Sequence, residues 1–281
     1  MRSLALLTSI GPNMNLDWFR LSVRSVKTVQ TPIHWLIGAP HEVSQDVERV
    51  IREEGADESV QIDLSTMHTG NIAYVRNTLA KKALSTYVMQ FDCDDVLVGA
   101  GVDLLVEKTS SRGMKWGGSP IVDFNEETSP VHPVPDMSRL RFRDGVIPRK
   151  NIPETRRALR HLTPVGVGVV HPGACIIRKD QYSLVGGHDE VLGNRWEDYT
   201  PFVALSTMSE GAWTSIPSMV YRNSPTSILG TPVPDTSHEY YDDYLTRFED
   251  AAESLFNSIQ SGDDRIENYN LDYIRKMAGL A

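Results

Sequence analysis

Residues 4–91 alternate short β-prone runs with amphipathic helical stretches, and no other feature of the chain constrains its fold as much. Leu4–Thr8, Ile33–Ile37, Val60–Leu64 and Tyr87–Phe91 read as strands. Between the first two, Leu16, Phe19, Val23 and Val26 recur at helical spacing. Val43, Val47, Val50 and Ile51 do the same within Glu42–Glu54, where Gly55 stands ready to end the helix. Ile72–Leu84, rich in Ala and Leu, supplies the third helix. A β-α-β-α-β-α-β series implies an α/β fold with a mostly parallel sheet, right-handed crossovers and flanking helices.

The last of these strands stops at three carboxylates in Asp92-Cys93-Asp94-Asp95. A solvated acidic turn would account for it. The D-x-D spacing of Asp92 and Asp94 also lets two carboxylates converge on one hard cation, and like charges so close repel unless a cation or proton neutralises them. In open α/β sheets ligands sit beyond the carboxyl ends of the strands, where this cluster falls.

After Asp95 the rhythm changes. Val102–Lys108 reads as a short helix, followed by strands at Met114–Trp116 and Pro120–Phe124. Residues 125–165 carry many prolines and the cations Arg139, Arg141, Arg143, Arg149, Lys150, Arg156, Arg157 and Arg160. They suit either a solvated loop with a small helix near Pro153–Leu162, or a cationic flap over an anionic substrate. Val167–His171 and Ala174–Arg178 are expected strands, a helix opens at Arg195–Tyr199 and runs to Met208, and Val220–Arg222 closes the core. His238–Ile259 is a long amphipathic helix with Tyr241, Tyr244, Phe248, Ala252, Leu255 and Phe256 on one face; Leu271–Met277 follows. These last helices would pack on the domain or form a homodimer contact.

Composition narrows the function classes. A net charge of −9, from 28 basic and 37 acidic residues, argues against a protein that grips nucleic acid through phosphates. Cys93 and Cys175 cannot build a disulfide framework and lack metal-ligand spacing, which fits small core residues in a reducing compartment. The apolar start at Leu4–Leu7 is too short for a signal peptide, and no run approaches the ~20 apolar residues that cross a bilayer. A soluble cytoplasmic protein is expected.

Three blocks then line up in order: Ala73-Tyr74-Val75-Arg76-Asn77 with Asp92-Cys93-Asp94-Asp95, Leu184-Val185-Gly186-Gly187-His188-Asp189-Glu190, and Trp196-Glu197-Asp198-Tyr199. Over roughly residues 3–227 the set resembles the family-2-like glycosyltransferases of GT-A fold, with their A-R-N, D-x-D-D, V-G-G-F-D-E and E-D elements. The resemblance implies transfer of a sugar from a nucleotide-sugar donor, UDP- or GDP-linked, to a saccharide, protein or small-molecule acceptor. It implies Mn²⁺ or Mg²⁺ held by Asp94 and Asp92, with Asp92 also near the ribose, and Asp198 as catalytic base with Glu197 as alternate. Single displacement with inversion would follow. Arg76 and Asn77 match positions near the nucleotide; Gly186, Gly187 and Trp196 match positions near acceptor or sugar. The bland alternatives are a surface arginine, a plain glycine turn, a buried tryptophan and an acidic helix start favoured by the macrodipole. Asp95 reads as capping its turn, and His171 and His188 as core or surface residues. The implied layout is a catalytic domain at 1–235, with a nucleotide half at 1–98 and an acceptor half at 99–235, and a helical extension at 236–281.

The sequence also departs from that pattern. The turn after the second strand, Ile37-Gly38-Ala39-Pro40, has no carboxylate to read a base, which leaves Thr8 and Ser9 as candidate base contacts. Tyr221-Arg222 is followed by Asn223-Ser224-Pro225, where family members often place a metal-binding histidine. A catalytically inactive GT-A-like scaffold and, less well, a sugar-1-phosphate nucleotidyltransferase are the competing readings. The latter would want a glycine-rich basic loop that Ser9-Ile10-Gly11-Pro12-Asn13 does not provide.

Overall fold

The computed structural model describes residues 3–67, 70–125, 145–147, 171–194, 197–223, 235–260 and 271–280. Its first half contains β1 (Leu4–Ser9), α1 (Leu16–Val26), β2 (Ile33–Ala39), α2 (His41–Glu53), β3 (Gln61–Thr66), α3 (Ile72–Lys82) and β4 (Tyr87–Gln90). These four strands lie parallel in the order β3-β2-β1-β4. The chain steps outward from β1 to β3 and then returns to the other side of β1. That reversal puts α1 and α2 on one face and α3 on the other. It also makes the carboxyl ends of β1 and β4 the switch point of the sheet, the place where open α/β sheets bind their ligands.

Side-chain alternation in β1 feeds both faces. Leu4 and Leu6 enter the core with Phe19, Val23, Val47 and Val50, while Ala5 and Leu7 enter the core with Val75 and Leu79. Side chains also fix the helix starts. Asn15 Oδ1 accepts from the Asp17 and Trp18 amides, and Asn71 Oδ1 accepts from Tyr74 N–H, satisfying amides that a helix leaves unpaired.

The second half adds β5 (Val96–Leu97), α4 (Gly99–Ser111), β6 (Trp116–Gly118), β7 (Ile121–Asn125) and β8 (Gly145–Ile147). A 3₁₀ turn at Pro172–Ala174 leads into β9 (Cys175–Arg178), α5 (Lys179–Val185), α6 (Tyr199–Met208), β10 (Gly211–Trp213) and β11 (Met219–Asn223). The main sheet continues β4-β9-β6-β10-β8, with antiparallel β4–β9, β9–β6 and β10–β8 pairs and a parallel β6–β10 pair. A separate three-stranded sheet, β5-β11-β7, carries Arg222 to the acidic turn.

Several boundaries differ from the sequence reading for physical reasons. Helix α4 starts at Gly99 rather than Val102, because Gly99 and Gly101 let it press on backbone; a Cβ at Gly101 would lie 1.8 Å from Pro217 O. Residues 145–147 are a strand rather than loop, paired with β10. His171 caps the 3₁₀ turn instead of ending a strand. The stretch 167–170, the segment near Pro153–Leu162 and the arginines from Arg139 to Arg160 lie outside the described residues.

The C-terminal helices, α7 (Asp235–Gln260) and α8 (Leu271–Met277), bury Tyr244, Leu245, Phe248, Ala252, Leu255, Leu271 and Ile274 in the core that also holds α3, α5 and α6. Their polar anchor is Asp189, which is fully buried: it accepts from Tyr244 Oη at 2.7 Å and pairs with Arg275 at 3.3 Å. Among the described residues no helix is long and apolar enough to cross a membrane.

Candidate active site

β4 delivers the acidic turn. Phe91 N–H donates to Leu7 O, and Asp95 N–H donates back to Asp92 O at 3.2 Å. Asp95 is the turn's buried anchor. Its carboxylate accepts from Arg222 N–H at 2.9 Å and its carbonyl accepts from Ser22 Oγ at 2.5 Å. Burial, then the charges of Asp92 and Asp94, hold its pKa well above the usual carboxylate range. Asp92 and Asp94 stay partly exposed. The Arg222 guanidinium donates to Asp94 O at 2.9 Å and lies 4.7 Å over the Trp18 ring.

Arg76 joins this turn to the second acidic block. It is buried on α3 and donates to Asp92 on one side and to Glu197 Oε1 at 2.9 Å on the other. Its Nε has no hydrogen-bond partner among the described residues. Arg76 is therefore neither a surface arginine nor a guanidinium with its whole fork open to phosphate. Glu197 is buried, and burial followed by the charge of Asp198 pushes its pKa up to about 8, against the pull of Arg76. Asp198 stands just before α6 with its carboxylate partly exposed, and its Oδ2 accepts from Gln90 Nε2 at 2.9 Å. Residues far apart in sequence thus form one site: Asp92 and Asp94 at the end of β4, Glu197 and Asp198 at the head of α6, with Arg76 and Gln90 between.

The glycine pair forms a turn with a defined task. Gly186 ends α5 in the left-handed conformation (φ 97°), and Gly187 follows at φ 73°. A Cβ at Gly187 would sit 2.3 Å from Asn77 Oδ1. Asn77 uses all of its amide on this loop: Nδ2 donates to His188 O and Glu190 Oε1, and Oδ1 accepts from His188 N–H and Tyr182 Oη. The Thr8 hydroxyl is likewise committed, donating to Phe91 O at 2.7 Å and accepting from Trp35 Nε1 at 2.8 Å with no exposed surface. Its side chain cannot also contact a base; Ser9 beside it is partly exposed. Trp196 lies outside the described residues.

Sequence reasoning passed over four members of this site. Gln90 and His188 form the wall behind Asp198, with His188 Nε2 at 2.8 Å from Gln90 Oε1. Arg222 braces the acidic turn. His171 takes Gly173 N–H on Nδ1 at 3.2 Å, which assigns the proton of its neutral ring to Nε2. Burial lowers its pKa, opposed by the charges of Asp198 and Asp92, so the ring belongs electrostatically to both acidic blocks. Two sequence signals pointed here: a glutamine inside the apolar run Tyr87–Phe91, and a histidine where the V-G-G-F-D-E pattern has phenylalanine.

The sheet order, the acidic turn closing β4 and the helix-head carboxylates together define a fold of GT-A type. Particular solved structures share it. S. aureus TarS 1-349 in complex with UDP-GlcNAc superposes with a TM-score of 0.62 at 12% identity, covering 89% of this chain and 66% of that one. TarS 1-349 with UDP gives 0.58 at 13% identity, covering 98% and 77%. A longer S. aureus TarS structure gives 0.55 at 12% identity, over 94% of this chain but 46% of that one. The chain thus spans from under half to about three quarters of these structures, and the likeness is one of fold. No family model and no curated protein matches the sequence.

Proposed function

We infer that the chain is a glycosyltransferase that moves a sugar from a nucleotide-sugar donor to an acceptor hydroxyl with inversion. The observation that carries this is the meeting of two separate acidic blocks across Arg76, at the switch point of the sheet. Structures of the same fold with UDP-GlcNAc and UDP bound support the donor class.

In this reading Asp198 is the base. The acceptor oxygen attacks the anomeric carbon while its proton passes to Asp198; the bond from that carbon to the departing diphosphate breaks, and its electron pair stays on the diphosphate. Gln90 fixes one carboxylate oxygen and leaves the other for the proton. Glu197, its pKa raised to about 8, already carries a proton at neutral pH and so does not take the acceptor's; it serves to hold the guanidinium. His171 presents an N–H suited to a phosphate oxygen rather than a lone pair suited to a metal.

The donor set fits a divalent cation. Partly exposed carboxylates suit Mg²⁺ or Mn²⁺, and the acidic groups here outnumber the guanidiniums of Arg76 and Arg222. Asp92 and Asp94 would hold the ion, which would neutralise charge developing on the diphosphate. Among the described residues no group of three or more His, Cys, Asp or Glu side chains is placed to hold a metal.

The test is a transfer assay across a panel of UDP- and GDP-sugars and acceptors, comparing wild type with Asp198→Asn. The variant is expected to lose roughly 10²–10⁴-fold in turnover while binding nucleotide normally. Undiminished transfer would sink the assignment of the base.

A further inference from the structure

Behind Asp198 runs a hydrogen-bonded chain: Asp198 Oδ2 to Gln90 Nε2 (2.9 Å), Gln90 Oε1 to His188 Nε2 (2.8 Å), His188 Nδ1 to Tyr182 Oη (2.5 Å), and Tyr182 Oη to Asn77 Oδ1 (2.7 Å). All but Asp198 are buried. We propose that Gln90, His188 and Tyr182 are positioning residues forming a switchable relay that orients Asp198 and rearranges when Asp198 takes the acceptor's proton. This rests on the reading of Asp198 as base.

Hydrogen counting carries the proposal. Both Asn77 Nδ2 protons are used on His188 O and Glu190, so the Asn77 amide cannot turn over and its Oδ1 is fixed as an acceptor. With Asp198 ionised, Gln90 must point Nε2 at the carboxylate and Oε1 at His188. The ring of His188 then carries its proton on Nε2, leaving Nδ1 bare. Tyr182 has one proton for two acceptors, His188 Nδ1 and Asn77 Oδ1, so one contact lacks a hydrogen.

Protonated Asp198 repairs the chain. Once protonated on the oxygen facing the acceptor, the Asp198 carboxyl turns about its Cβ–Cγ bond so that its O–H donates to Gln90 Oε1; the Gln90 amide turns over and donates to His188 Nε2, His188 Nδ1–H donates to Tyr182 Oη, and Tyr182 donates to Asn77. Every contact then has one donor and one acceptor. Proton uptake by Asp198 gains a buried hydrogen bond, and the neutral tautomer of His188 that the chain favours changes from Nε2–H to Nδ1–H, with no net charge on the ring. Burial and the charge of Arg76 both hold the His188 pKa well below its usual value, which favours the neutral ring that this exchange uses. The charged and titratable groups around the ring are Arg76 of α3, Tyr182 of α5, Asp189 and Glu190 in its own loop, and Glu197 and Asp198 at the head of α6.

The experiment reads the tautomer directly. The full chain is labelled with ¹⁵N-histidine, and the two ring nitrogens of His188 are followed by NMR near neutral pH in wild type and in Asp198→Asn, with His188→Phe identifying the signals. An asparagine amide imitates the protonated acid, donating to Gln90 Oε1. The expected result is a ring proton on Nε2 in wild type and on Nδ1 in Asp198→Asn. The same tautomer in both proteins overturns the relay, even where Asp198→Asn abolishes transfer and the base assignment stands. A tautomer change accompanied by normal transfer overturns the base reading and the relay's catalytic role with it. Tyr182→Phe supplies a second arm. Without the hydroxyl the protonated state loses its extra bond, so the acidic limb of the pH–rate profile should move to lower pH, turnover should fall by about tenfold, and donor KM should stay unchanged. An unmoved acidic limb contradicts the proposal.

Discussion

The two acidic pairs of the site have nearly the same composition and different hydrogen-bond partners, and only Glu197 among the four is buried. Asp92 and Asp94 lie on a turn at the end of β4, partly in solvent, with an arginine on the Asp92 carboxylate and another on the Asp94 carbonyl. Glu197 and Asp198 open a helix; one is buried against Arg76 with its pKa pushed up, and the other is aimed by an uncharged amide. In the proposed reading the first pair would hold a cation, and Asp198 of the second, aimed by the buried Gln90 amide, would take the proton. The proposal thus divides the labour by environment and not by residue type.

Cutting the link between the pairs should produce the largest effect on stability. Arg76→Met keeps much of the side-chain volume but strands buried Glu197 and leaves Asp92 uncompensated. Because Glu197 is protonated at neutral pH and Asp92 is partly in solvent, the cost is that of lost hydrogen bonds to buried groups, about 1–3 kcal/mol, read as a lowered denaturation midpoint in urea. A loss below ~1 kcal/mol would mean that the two pairs are held apart by the fold without the arginine. A smaller effect should sharpen the contrast within the second pair. In the folded chain Glu197 keeps its proton up to about pH 8, whereas the unfolded chain releases it near the ordinary value of 4.5. The folded state therefore binds more protons across that window, and this contribution to stability falls as pH rises through it. Glu197→Gln should flatten the decline in thermal midpoint between about pH 5 and 8. A parallel decline in the variant would assign the slope to another group.

Much of this was legible in the chain itself. The β-α alternation through residue 91 gave the parallel half because each strand is an apolar run and each helix an amphipathic one. The second half was harder, since β5, β8 and β10 are two or three residues long and exist only through pairing with distant partners. The two acidic blocks could be named from their spacing, but not their link. Arg76 looks like an ordinary helix residue until α3 is placed between β4 and the head of α6. Thr8 looked open to a ligand because nothing local shows that Trp35 and Phe91 take its hydroxyl. Gln90 and His188 each break an apolar pattern, and only the folded chain shows that they break it toward each other.

The most direct measurement is nucleotide binding. Thermal shifts of wild type and Asp94→Ala would be recorded with UDP, GDP and their sugars, with Mn²⁺ and with EDTA; a ligand of the native state raises its midpoint by mass action. The transferase reading predicts that one nucleotide stabilises wild type by several degrees only when metal is present, and that Asp94→Ala abolishes the shift. No shift from any nucleotide at saturating concentration, or a shift indifferent to both metal and Asp94, would contradict it and leave a GT-A fold that serves as a scaffold.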